Sequence, residues 1–261
     1  MSHDDIDQYK SDWHNKIKKN IQEYGFHITQ VRGGPLPDYF YSIGLSATLG
    51  FEFAAAGASY YTGSEIAEIF HRLRSLLIQQ QLQVNHEYDL KLDGVFTLRN
   101  IHDSWTHEVG RGAIRWYPNQ KVRLLQVVPD PVHVTIDNPD LNSTFDVNRE
   151  KPWKWLKLDW TGQIDRRARA NVDFGILRGR PAKEIIRWHH DSFTVVSGSF
   201  DATLDSDCRS VPLATLWALD STIDRAAFEL DDDSGAFRRS YNEPWEAITE
   251  PAKKRNGDAP S

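Results

Sequence analysis

Asp38-Tyr39-Phe40-Tyr41-Ser42-Ile43-Gly44-Leu45 is the stretch that decides the fold, and Ser46-Ala47-Thr48-Leu49-Gly50-Phe51-Glu52-Phe53-Ala54-Ala55-Ala56-Gly57 follows it directly. An apolar, aromatic-rich run that ends in glycine and resumes as a second apolar run reads as two adjoining core strands. The second run carries one carboxylate, Glu52. A carboxylate in such a run faces outward, pairs with an arginine or serves a function, because an unpaired buried charge is costly.

The flanks supply what packs on these strands. Ile6, Tyr9, Trp13, Ile17, Ile21 and Tyr24 recur at spacings of three and four, the stripe of an amphipathic helix over residues 4–24 that Gly25 can end in the left-handed conformation. Phe26–Val31 reads as a strand and Gly33–Asp38 as a turn. Thr62-Gly63-Ser64-Glu65 fits a capping box, and Ile66, Ile69, Phe70, Leu73, Leu76 and Leu77 form an apolar stripe through a helix of roughly five turns. Its place is over one face of the sheet. Residues 84–100 and 105–117 read as further strands, and Lys121–Val128 alternates until Pro129-Asp130-Pro131 stops it. Strands on both sides of one long helix, without regular alternation, predict α+β rather than a doubly wound sheet. The expected organisation is a mixed or antiparallel sheet covered by one long helix over residues 1–145, with the turn-rich stretch up to Lys151 as linker. A second, smaller β-rich module with short helices follows over 151–249, then a disordered polar tail over 250–261.

The second module opens on Lys151-Pro152-Trp153-Lys154-Trp155-Leu156-Lys157-Leu158-Asp159-Trp160, whose alternation of tryptophan with lysine suits a strand. Ile185–Gly198 reads as a hairpin with a polar loop, and Val211–Leu219 as a short helix with Pro212 in its first turn.

Composition narrows the function classes. Of 261 residues, 39% are hydrophobic and 26% charged, which predicts a folded chain, and the formal charge of -6 disfavours a dedicated nucleic-acid binder. Cys208 is the single cysteine, so an intrachain disulfide and a Cys-based zinc site are excluded. The first residues are acidic and lack an apolar core, and no run approaches the ~18 apolar residues of a membrane span. A cytoplasmic location is expected.

The motifs give little chemistry. His102, Asp103, His107 and Glu108 are the tightest metal-ligand cluster, yet a spacing of five points the two histidines apart on a helix or a strand, so no metal and no cofactor are expected. Gly57-Ala58-Ser59-Tyr60-Tyr61 has Tyr61 where a nucleophile elbow needs glycine. Acidic neighbours would raise the Cys208 thiol pKa. Trp153, Trp155 and Trp160 with Arg166, Arg167 and Arg169 form a candidate interaction surface, the arginines being the one basic concentration.

Residues 15–140 resemble the bacterial family called domain of unknown function 4262. The resemblance rests on Tyr24-Gly25, Phe40-Tyr41-Ser42-Ile43-Gly44-Leu45, Gly50-Phe51-Glu52-Phe53 and Gln126-Val127-Val128-Pro129-Asp130. Ser42 stands where the family has threonine, and Phe51 where proline is common. The second half resembles a small uncharacterised bacterial α+β module through Trp188–Gly198 and Val211–Asp220. Neither likeness implies an established activity. By analogy with short acidic bacterial proteins near toxin or defence genes, the expected role is non-catalytic. Its partner would be another protein, a toxin or defence component, in an immunity or defence-associated role. The alternative is an enzyme acting on a small molecule, with a pocket around Tyr41, Ser42, Gly44, Glu52, Gln126 and Asp130. A nucleic-acid-associated module using the arginines is the second alternative.

Overall fold

A computed structural model describes residues 3–79, 83–200 and 208–248. The chain divides into two units: the first comprises residues up to Val31, Tyr39–Val134 and Pro139–Asp146, the second Arg32–Asp38, Thr135–Asn138 and Val147 onward. The tail expected over 250–261 lies outside the described residues.

In the first unit, α1 (His3–Tyr24) leads through Gly25, at φ +84°, into β1 (His27–Val31) and β2 (Tyr39–Ile43). A single-turn helix, α2 (Ser46–Leu49), ended by left-handed Gly50, precedes β3 (Glu52–Ala56). The second apolar run is therefore helical at its start and strand only from Glu52. The box predicted at Thr62 forms, with Thr62 N donating to Glu65 Oε2 at 2.6 Å and Glu65 N to Thr62 Oγ1 at 3.3 Å. It starts α3 (Gly63–Gln79). β4 (Glu87–Asp89), β5 (Val95–Asn100), α4 (Asp103–Val109), α5 (Arg111–Trp116) and β6 (Leu124–Pro129) complete the unit.

The six strands form one mixed sheet in the order β1-β2-β3-β6-β5-β4, antiparallel except for the central pair β3 and β6. Phe53 and Ala55 of β3 and Leu125 and Val127 of β6 pack with Ile66, Ile69, Phe70 and Leu73 of α3 in one core. Each of these side chains larger than alanine contributes ~1.5–3 kcal/mol by leaving water.

Residues 105–117, expected as a strand, are α4 and α5 instead. Trp105, Val109 and Ala113 are four apart and fully buried, a helical spacing that two short helices broken at Gly110 obscure. Helix α5 approaches β2 so closely that a Cβ on Gly112 would lie 2.0 Å from Tyr41 Oη. Gly112→Ala is expected to push the tyrosine or the helix aside and to cost about 1–3 kcal/mol in urea denaturation.

The second unit carries β7 (Arg169–Asp173), α6 (Phe174–Leu177), β8 (Glu184–His189), β9 (Ser192–Val196) and β10 (Cys208–Pro212). Then come α7 (Leu213–Leu219), α8 (Thr222–Glu229), β11 (Ser234–Phe237) and β12 (Glu246–Ala247), and the strands form a second mixed sheet ordered β10-β7-β9-β8-β11-β12. The hairpin expected over 185–198 is the β8/β9 pair. The tryptophan-rich opening is not a strand. Lys151–Leu156 is a 3-10 helix, started by Pro152, whose fixed φ suits a first helical turn. None of the described helices is long and apolar enough to cross a membrane.

Candidate functional site

The end of β2, the α2 turn and the start of β3 converge on Glu52, whose side chain is completely buried. No arginine among the described residues reaches it. Its Oε2 accepts from Ser42 Oγ at 2.6 Å and Leu45 N at 3.2 Å. Its Oε1 accepts from Gly44 N at 2.9 Å, Ser46 N at 2.9 Å and Tyr117 Oη at 2.9 Å. Three consecutive backbone amides and two hydroxyls thus replace the water that a carboxylate loses on burial. Ser42 Oγ in turn accepts from Phe53 N at 2.8 Å, which ties the two strands together. Burial first, and then the Glu52 charge, raise the Tyr117 phenol above its ordinary pKa, so it stays a neutral donor. With its lone pairs engaged and no exposed edge, Glu52 anchors the fold and leaves nothing for a substrate.

The other residues of the expected pocket do not join Glu52 around one cavity. Tyr41, Ala54 and Gln126 lie in one row across the sheet, but Tyr41 is buried under α5, and Gln126 is spent on the 139–141 loop. Its Nε2 donates to Pro139 O at 2.8 Å, and its Oε1 accepts from Leu141 N at 3.1 Å. Asp130 stands at the opposite end of β6 from Leu124, the residue that Glu52 pairs in register.

Asp130 has a different partner, one that sequence reasoning missed. The loops leaving the C-terminal ends of the parallel strands β3 and β6 meet at a ledge, the position where open sheets with parallel strands place ligands. From β6, Asp130 Oδ1 lies 2.8 Å from His133 Nδ1 and also accepts from Val132 N at 3.0 Å, while Oδ2 accepts from Val95 N at 3.2 Å. Burial pushes the Asp130 carboxyl up, but the bonds from His133 and the Val95 and Val132 amides outweigh it and hold its pKa below the usual value. From β3, Gly57 and Ala58 take consecutive left-handed conformations, φ +68° and +60°, the latter costly for a residue with a Cβ. They present Tyr60, whose ring centroid lies 4.6 Å from that of His133 and edge-on to it, and Tyr61 at 5.8 Å. The Tyr61 phenol is raised by burial and by the Asp130, Tyr60 and Asp93 charges, and it donates to Asp93 O at 3.0 Å. Gly94 leaves room for the pair, since a Cβ there would lie 3.2 Å from the His133 ring and 3.3 Å from Asp130 Oδ2.

With Nδ1–H assigned to Asp130, Nε2 of the His133 imidazole, on a side chain 24% exposed, carries the lone pair. Nε2 has no hydrogen-bond partner among the described residues. The signal in the sequence is the Asp-Pro-Val-His spacing, in which an aspartate that caps a turn receives the histidine three residues on.

Residues 20–134 match the family model of Domain of unknown function (DUF4262). The match ends one residue past His133, so the DUF4262 region contains both loops of the ledge. No curated protein and no solved structure matches the chain.

The histidine cluster of the DUF4262 region is dispersed. His102 caps α4, accepting from Ser104 N at 3.1 Å, and Glu108 contacts Arg111 at 3.4 Å. Asp103 and His107 instead line an open cleft of about 730 Å³ with Lys121 and Arg123. No three His, Cys, Asp or Glu among the described residues are placed to hold a metal ion.

In the second unit, Trp153 is buried, its Nε1 donating to Asp137 O at 2.8 Å, which takes it off any surface. Trp155 and Trp160 are half-exposed and cluster with Trp217, beneath the Lys154 ammonium 4.4 Å from the Trp155 ring. Arg169 is held bidentately by Asp38 at 3.0 Å and bonds Ser210 O at 2.8 Å, and Arg167 pairs with Asp165. Arg166 is exposed. The basic concentration is thus largely neutralised within its own unit.

Proposed function

We propose that the DUF4262 region binds a small polar molecule at the ledge and accepts a proton from it through His133. The observation that carries this reading is the 2.8 Å contact between His133 Nδ1 and Asp130, which orients the ring beside Tyr60 and leaves Nε2 as its proton acceptor. Asp130 is the positioning group and stabilises the imidazolium that forms. Tyr60 is the wall against which a substrate stacks. The enzyme alternative therefore moves from Glu52 to the far end of the same sheet.

Thermal-shift screening of polar metabolites, followed by calorimetry in two buffers of different ionisation enthalpy, tests it. Ligands are expected to raise the melting temperature of the wild-type protein, with the same binding enthalpy in both buffers because the proton passes from ligand to imidazole inside the complex, to lose their shift in His133→Ala and to keep it in His107→Ala. A library without a hit, or hits indifferent to His133→Ala, counts against the proposal.

Protein binding, in an immunity or defence-associated role, is the second reading. It is favoured by apolar side chains left in water, Val132 at 65% exposed and Val134 at 38%. Affinity purification from the native host should then recover a stoichiometric partner that Val132→Asp releases; recovery of none sinks this reading.

A further inference from the structure

The second unit contains a cavity of about 300 Å³ between the turn after α6 and helices α7 and α8. Ile136, Ile176, Leu216 and Ile223 give it apolar walls, with Arg180 and Asp220 as the charged lining residues. At ~30 Å³ per water-sized group it takes about ten non-hydrogen atoms. Its rim is apolar as well, since Leu219 and Tyr241 are 39% and 51% exposed.

The two charges are not equivalent. Asp220 Oδ1 accepts from Thr222 N at 3.0 Å and Thr222 Oγ1 at 2.7 Å, and its Oδ2 accepts from Arg238, whose side chain is completely buried. Arg238 also donates to Ala182 O at 2.8 Å and lies over the Tyr241 and Trp245 rings. The Asp220 charge is therefore neutralised in place. Arg180 makes no ion pair among the described residues. Its backbone is fixed, Arg180 N donating to Gly175 O at 2.9 Å next to left-handed Gly179. A neutralised acid and an exposed arginine without an ion pair among the described residues leave the lining of an apolar chamber net positive.

We propose that this cavity binds a small amphiphilic monoanion, an aliphatic or aromatic carboxylate of about ten non-hydrogen atoms. The apolar body lies against Ile176, Leu216 and Ile223, and the carboxylate takes the Arg180 fork in charge-assisted hydrogen bonds. The site belongs to the second unit and is independent of the ledge around His133.

Octanoate, 1-octanol and octylammonium share one apolar body and differ in the head group, so titrating each into the full chain by calorimetry separates charge recognition from apolar burial. Octanoate is expected to bind about tenfold more tightly than octanol, with octylammonium weakest. Arg180 is exposed, so Arg180→Gln leaves the fold intact and should abolish the preference of octanoate over octanol. Ile176→Trp, which fills the chamber, should remove binding of all three. No binding of octanoate at millimolar concentration overturns the proposal, as does equal affinity for the three head groups or an unchanged preference in Arg180→Gln. Loss of the ledge ligands in His133→Ala leaves this outcome untouched.

Discussion

Glu52→Gln is expected to lower the stability of the first unit by about 3–5 kcal/mol, measured by the midpoint and slope of urea unfolding. The carboxylate receives five donors, three of them the amides of Gly44, Leu45 and Ser46. A glutamine keeps one accepting oxygen and turns an NH2 group toward donors that previously met the other. Ser42 Oγ and the Gly44 and Leu45 amides are buried, while Ser46 N and Tyr117 Oη are part-buried, so the desolvation cost falls chiefly on the first three. Tyr117→Phe is the milder companion at about 1–2 kcal/mol, because Gly44 N still reaches Glu52 after the phenol is gone. If the glutamine variant unfolds within 1 kcal/mol of wild type, Glu52 is not the anchor described.

Arg238→Met should cost a similar amount, about 3–5 kcal/mol, in the second unit. Its guanidinium is enclosed and joins Asp220, Ala182 O, Thr222 Oγ1 and Tyr241 O. Removing it leaves the Asp220 carboxylate buried with only Thr222 as donor. Adding Asp220→Asn to Arg238→Met should recover part of the loss, and the double-mutant cycle measures that coupling. The same substitution carries a consequence for the cavity: an uncompensated Asp220 opposes an anion, so octanoate affinity should fall although Arg180 is unchanged.

The parts of the fold legible in the sequence are those where one local rule acts alone. The Thr62/Glu65 box and the stripe from Ile66 to Leu77 gave α3 because cap and period agree. Tyr39 to Ile43 gave β2 because an apolar, aromatic-rich run stops at a glycine. Trp105, Val109 and Ala113 have an equally good period, but α4 and α5 hold barely two turns each, and their aromatic content favours a strand reading. At Lys151–Leu156, Pro152 was the better guide than the alternation of tryptophan with lysine.

The candidate site was legible only in part. A buried carboxylate in an apolar run suggested exposure, an arginine or function, whereas a turn that aims three amides at Glu52 is a further solution that composition does not announce. Asp130 belonged to a motif visible in the chain, but its meaning lay three residues later, at His133. Tyr60 reaches the same ledge from β3, a juxtaposition set by the parallel pairing of β3 with β6. The tie between Asp38 and Arg169, 131 positions apart, has no local signal at all.

That last contact bears on how the protein is made. Asp38 and the segment from Thr135 to Asn138 leave the ribosome within the first unit's stretch of chain, yet they bond to the sheet and helices of the second. At ordinary elongation rates the Asp38 carboxylate waits about 7–26 s for the guanidinium it will hold. Two pieces of the later unit are thus synthesised early, so translation speed between residues 38 and 169 is a variable that the yield of native protein should register.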